Sequence, residues 1–203
     1  MIEGRNIVKK FGDRVLLDQF NFTIEDGEFV CFSGVSGSGK TTLLNIIGLL
    51  EPIDAGEILI HGNPYKTNRQ KLEYYQSQVG FLFQNFALIE NKTVEQNLKL
   101  IAKKNRTDYT IEEALEKVGL EDKICQKVYT LSGGEQQRVA MARLFLKKCN
   151  IILADEPTGS LDINNARIVM RILLELNRQG KTVVLVTHDE TIKKMAGRII
   201  ELK

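Results

Sequence analysis

Phe29-Val30-Cys31-Phe32-Ser33-Gly34-Val35-Ser36-Gly37-Ser38-Gly39-Lys40-Thr41-Thr42 begins as an unbroken apolar run, passes through a glycine-rich turn and enters a helical pattern. A strand, a glycine-rich loop and a helix opening in immediate succession are the context that a phosphate-binding loop requires. Gly34, Gly37 and Gly39 let the backbone wrap its N–H groups around phosphates, and the N-terminus of the following helix adds a favourable dipole. Lys40 is placed to neutralise phosphate charge, and Thr41 to offer a hydroxyl to Mg2+. Ser36, Ser38 and Thr42 complete the expected set of contacts to the bound group.

Outward from this stretch the chain punctuates itself clearly. Upstream, 15–17 and 20–25 read as strands, the second with alternating apolar positions. Downstream come a helix over 40–50, turn chemistry in Glu51-Pro52-Ile53-Asp54-Ala55-Gly56, a short strand over 57–60, a turn in His61-Gly62-Asn63-Pro64 and a buried strand over 79–83. From 93 to 118 the period becomes helical, with Leu98, Ile101, Ala102, Ile111, Ala114, Leu115 and Val118 on apolar faces. The remainder alternates: helix 135–147, strand 150–154, helix 162–179, strand 182–187, helix 190–196, strand 198–202. That alternation predicts a largely parallel sheet covered by helices. No Pro/Gly/Ser-rich linker divides the chain, which is expected to be one domain.

Composition narrows the function classes. A chain of 203 residues can bury about 70% of its unfolded surface and carry its own core. The 28 basic and 26 acidic residues leave a formal charge of +2, which argues against binding dominated by a nucleic-acid backbone. Cys31, Cys125 and Cys149 are odd in number and widely spaced, so neither a disulfide framework nor a zinc site is expected. No stretch approaches the roughly 18 uncharged apolar residues needed to cross a bilayer. Any membrane role must come through a partner.

Two further stretches carry chemistry. Ile151-Ile152-Leu153-Ala154-Asp155-Glu156 is an apolar strand ending in two carboxylates, and ligands of parallel sheets collect beyond the carboxyl ends of strands. Asp155 is placed to hold Mg2+ through its water shell, while Glu156 can point at an attacking water. Leu131-Ser132-Gly133-Gly134-Glu135-Gln136-Gln137-Arg138 puts Ser-Gly-Gly before a helix, a second anion site without a lysine. Alone it reads equally as a serine cap on an ordinary helix.

Together and in this order, the three stretches resemble the motifs of the ABC ATPases, and the resemblance covers essentially the whole chain. It implies an α/β fold: a P-loop NTPase core with a mostly parallel sheet, an antiparallel β subdomain in the N-terminal part, and a helical subdomain over about 85–145 that carries the signature, all within a single domain over 1–203. It implies ATP and Mg2+ as ligands, and an ATP-dependent head-to-tail homodimer in which Ser132, Gly133 and Gly134 of one copy close on the nucleotide of the other. Gln84 maps onto the loop that senses Mg2+ and contacts the membrane partner. Ser160-Leu161-Asp162 maps onto the loop that couples the two sites, and His188 onto the switch histidine beside the γ-phosphate. Phe11 falls where the family usually has a tyrosine that stacks on adenine, keeping the ring and losing the hydroxyl.

Leu43 to Leu50 and Gly80 to Ile89 resemble ATPases of macrolide, lipoprotein-release and bacteriocin exporters. The implied role is to drive export through a separate transmembrane permease, with the chain held peripherally at the inner face of the cell membrane. A non-transporting relative that signals mechanically through a membrane partner is the alternative. The helical insert is slightly short for the family, and Phe86-Ala87-Leu88-Ile89 is an apolar run after Gln84. At least part of it is expected to line a groove for a short helix of the permease.

Overall fold

The computed structural model describes residues 1–159 and 161–202. The expectation placed on Ser160 therefore lies outside the described residues. The chain enters through β1 (Ile2–Phe11) and β2 (Arg14–Ile24), an antiparallel hairpin, and then crosses to β3 (Phe29–Ser33), every residue of which is buried. The glycine-rich loop leads from β3 into α1 (Lys40–Ile47). β4 (Ala55–Ile60) and β5 (Asn63–Pro64) return to the hairpin and complete a four-stranded antiparallel sheet in the order β2, β1, β4, β5.

Next come α2 (Asn68–Ser77) and β6 (Val79–Leu82), then the helical insert, with α3 (Val94–Leu98), α4 (Ile111–Glu116) and α5 (Gly133–Leu146). The chain closes through β7 (Ile151–Asp155), α6 (Ile163–Arg178), β8 (Thr182–Val186), α7 (Glu190–Lys193) and β9 (Arg198–Glu201). The second sheet is wholly parallel, in the order β6, β7, β8, β3, β9.

Strand pleating divides the core between the two faces of the parallel sheet. Phe29 and Cys31 of β3, with Val183 and Leu185 of β8, face the cluster built with α3 to α6. Val30, Phe32, Val184 and Val186 face α1 and the antiparallel sheet. The α/β character, the mixed sheet arrangement and the helical insert agree with the fold expected from the motifs.

Five local features depart from the sequence reading, the first being that the strands read at 15–17 and 20–25 are one continuous strand, β2. Strand β1 was not anticipated, because its inward positions are Ile2, Gly4, Ile7 and Lys9, and the register slips between Gly4 and Ile7. Gly4 leaves room for the Phe22 ring, which lies 2.2 Å from where a Cβ would stand, and Lys9 is buried against Glu51 at 2.6 Å. Helix α2 was also missed, since Tyr74 is its sole buried residue and no apolar stripe exists. It forms because Thr67 and Gln70 make a capping box and Tyr74 donates its hydroxyl to the Ile47 carbonyl at 3.2 Å. The expected turn at Asn63-Pro64 is the two-residue strand β5. The helical period over 93–118 is interrupted, because Thr93 and Thr110 each start a new capped helix and a 3₁₀ turn, Lys103–Asn105, falls between them.

Candidate functional site

Three neighbouring strands, β7, β8 and β3, end on the same edge of the parallel sheet, and the loops after them surround a cavity of about 490 Å3. Ser36, Gly37, Gly39, Lys40, Thr41 and Thr42 line one side; Glu156 and His188 line another; Phe11 and Leu16 reach it from the hairpin. The loop is shaped by its glycines. Gly37 and Gly39 take φ values of 78° and 95°, and a Cβ on Gly39 would stand 2.8 Å from the Leu16 side chain. Lys40 is buried, with Nζ donating to the carbonyls of Gly34 at 2.8 Å and Val35 at 2.9 Å. The Ser38 hydroxyl is buried with no partner, although a native buried hydroxyl normally has one. A cation and a helix N-terminus facing one cavity, with an orphan hydroxyl in the same loop, are suited to phosphate.

Thr41 Oγ1 donates to Asp155 Oδ1 at 3.0 Å, so a hydroxyl and a carboxylate from two different elements converge. Burial raises the Asp155 carboxyl above its ordinary value and Glu156 pushes the same way, against the Thr41 hydrogen bond and the Lys40 charge. Such a carboxylate gains from a divalent cation, and hydroxyl, carboxylate and water are the ligands Mg2+ takes. The donor set therefore fits this ion.

Glu156 is held on both carboxylate oxygens: Thr187 Oγ1 donates to Oε2 at 3.1 Å, and His188 Nδ1 lies 2.8 Å from Oε1. Its backbone has φ 43°, a left-handed conformation costing about 1–3 kcal/mol for a residue with a side chain. The turn ends β7 and directs the side chain toward the residues after β8 instead of along the strand. The arrangement can orient a water against a group bound at Lys40.

Phe11 is 52% exposed at the end of the hairpin, and Lys9 Nζ sits 4.9 Å from its ring centroid. An exposed ring backed by a cation presents its outer face for stacking. Gly34 and Ser38 stand in the loop wall, and Asp155 joins through Thr41.

The other expected residues lie outside this cavity. Gln84 is exposed in the turn after β6, and its side chain makes no hydrogen bond among the described residues. Ser132 caps α5: its Oγ accepts from Glu135 N at 3.3 Å, while Glu135 Oε2 accepts from Ser132 N at 2.8 Å. That backbone N–H holds the Glu135 carboxyl below its ordinary value. Asp162 caps α6 through Asn164 and Asn165. Asn165 joins the two helix ends, donating to Asp162 Oδ2 and accepting from Arg138, and its side chain fills the space beside Gly134. Phe86 and Leu88 pack against the helical core, and Ile89 is 43% exposed. A separate groove of about 430 Å3 opens between Phe81, Phe83, Leu100 and Ile101, none of them in the apolar run 86–89.

Three contributors escaped the sequence reading. Arg14 Nη2 donates to the Gly37 carbonyl at 2.7 Å, Leu16 underlies Gly39, and Thr187 holds Glu156. Leu16 lies in the strand read at 15–17, but its partial burial against the loop is not marked in the sequence, and nothing there marks Arg14.

Residues 17–159 match the protein family described as ABC transporter. Over its full length the chain is 40% identical to the ABC transporter ATP-binding protein YxdL of Bacillus subtilis (strain 168), covering 83% of that protein. It is 40% identical to the macrolide export ATP-binding/permease protein MacB of Campylobacter jejuni subsp. jejuni serotype O:23/36 (strain 81-176), but spans only 33% of MacB. Among solved structures it is similar along its whole length to a dimeric post-hydrolysis state of the ATP-binding cassette MJ0796 bound to ADP and Pi, with a TM-score of 0.87, 37% identity and 94% of that chain covered.

Proposed function

The chain belongs to the ABC transporter family as an ATP-binding subunit, and on that premise we propose that it hydrolyses Mg-ATP to drive export through a separate transmembrane permease at the inner face of the cell membrane. The observation that carries the hydrolytic part is the convergence of the phosphate loop, Glu156 and His188 on one cavity. Gly34, Ser36, Gly37, Ser38, Gly39, Lys40, Thr41 and Thr42 hold the phosphates, with Lys40 exchanging its two carbonyl partners for phosphate oxygens. Phe11 stacks on the base. Thr41 and Asp155 would hold Mg2+, which would neutralise phosphate charge when bound, and Gln84, which lies outside the cavity in this structure, would join them only through a movement of the turn after β6. Glu156 accepts a proton from water or orients it, and His188 positions Glu156 and the terminal phosphate.

The reading extends to a single domain over 1–203 with a helical subdomain over about 85–145, and to a head-to-tail homodimer. Ser132, Gly133, Gly134 and Asp162 form half-sites remote from the chain's own cavity, and two-fold pairing completes both. The substrate class follows the exporters whose ATPases this chain is similar to. The decisive experiment is hydrolysis by the purified chain with Glu156→Gln. Turnover falls by about 10² or more while ATP binding persists, the scale of losing one catalytic polar group. Turnover near wild type removes Glu156 from the role.

A further inference from the structure

Away from the nucleotide cavity, α6 and α7 enclose a groove of about 520 Å3 that shares no lining residue with it. Met170 and Ile192 form a buried floor, while Ile163, 71% exposed, and Met195, 40% exposed, stand as walls. Large apolar side chains left in water around a concavity mark a contact surface. Arg167, Arg171 and Arg178 line the same groove. Their spacing of four and then seven residues puts all three along one flank of α6.

Among the described residues none of these arginines makes an ion pair. Asp189, which also lines the groove, accepts the N–H groups of Thr191 and Ile192 on one carboxylate oxygen, and Glu190 and Glu175 pair with Lys193 and Lys117. Three uncompensated guanidinium groups beside an apolar trough favour an occupant with carboxylates along one flank, since arginine binds carboxylate in a bidentate geometry.

The trough is concave, whereas a lipid surface offers no projecting side chain to fill it. The acidic helix α4 of a second copy fits no better. The described acidic helix α4 has already buried its apolar residues Ile111, Ala114 and Leu115 in its own core. We propose that the α6–α7 groove docks an amphipathic helix of a partner protein, with apolar side chains in the trough and Asp or Glu against Arg167, Arg171 and Arg178. This surface shares no lining residue with the nucleotide cavity, although its wall Ile163 and its residue Asp189 directly follow Asp162 and His188.

The test uses the full chain and a fluorescent synthetic helix about as long as α6, with leucines at three- and four-residue spacing and glutamates along one flank. A second peptide carries lysine in place of each glutamate. The acidic helix binds, its affinity falls with added salt, and the basic helix binds at least about tenfold more weakly. The triple variant Arg167→Glu, Arg171→Glu, Arg178→Glu inverts the preference, with ATP affinity unchanged as the control for folding. Met195→Lys, which leaves the arginines in place, weakens the acidic helix by removing an apolar wall. Equal binding of the two peptides, or no binding of the acidic one, overturns the proposal. It is also overturned if arginine-dependent flotation with vesicles of about one-third phosphatidylglycerol occurs without any peptide preference, or if Met195→Lys dissolves a self-associated form of the chain.

Discussion

Asp155 is the residue at which stability and function pull apart. Burial raises its carboxyl above the ordinary value, so the folded chain holds that proton more tightly than the unfolded chain does. Stability from this group is present below the ordinary value of 3.8 and is lost as pH rises through the higher folded value. At neutral pH the folded protein therefore carries a charge it holds at a cost. Asp155→Asn removes that charge and keeps an oxygen to accept the Thr41 hydroxyl. Its thermal midpoint should exceed wild type near neutral pH, the gap closing toward pH 3.8, while Mg-dependent hydrolysis is lost. A lower midpoint at neutral pH would show that the Thr41 bond outweighs burial. Glu156 pays a different cost, backbone strain, which its place after an apolar strand did not foretell. Its identity was legible because an Asp-Glu pair ends that strand; the Thr187 hydroxyl that grips it was not, because a threonine closing a strand has many uses.

Among the elements, α5 shows why adjacent glycines in a motif are unequal. A Cβ at Gly133 would meet nothing nearer than the Phe86 ring at 4.0 Å, whereas one at Gly134 would stand 2.6 Å from the Asn165 side chain. Asn165 cannot swing away without releasing Asp162 and Arg138. Both substitutions by alanine gain about 1 kcal/mol or less in helix propensity. At Gly134 overpacking costs about 1–3 kcal/mol and wins. Urea unfolding should therefore find Gly133→Ala neutral or stabilised and Gly134→Ala destabilised; equal midpoints would mean the helices part freely. The same pairing of packing and pattern decides which elements could be read in advance. Strands β3, β7 and β8, buried on both faces, announce themselves as apolar runs. Strand β1 does not, since a glycine and a lysine take inward positions, and α2 does not, since one tyrosine anchors it. The insert was legible as helical, but its threonine caps, which cut it into short pieces, were outweighed by its apolar period.

For the molecule as a whole, pairing is the central question, because Ser132, Gly133 and Gly134 do not line the chain's own cavity. Ser132 serves its own helix as a cap, so two effects of its replacement must be separated. Ser132→Ala should cost about 1 kcal/mol of stability and no more. Ser132→Arg adds bulk, and in the Glu156→Gln background it should abolish ATP-driven dimerisation in sedimentation while leaving monomer ATP affinity intact. Lys40→Ala should instead lower monomer affinity directly if, as proposed, Lys40 meets the phosphates in the same chain. Comparable affinity losses in Ser132→Arg and Lys40→Ala would sink the trans arrangement. The two-sided sheet carries a different consequence. β3 and β8 are hydrogen-bonded to strands on both edges and covered by a hydrophobic cluster on each face. Their amide protons should exchange only when the sheet opens, while those of the short capped helices α3 and α4 should exchange through local opening. Hydrogen exchange should therefore be slow in the sheet that leads into the glycine-rich loop and faster in the short helices α3 and α4, while α5, which shares a hydrophobic cluster with β3 and β8, should keep the pace of the sheet.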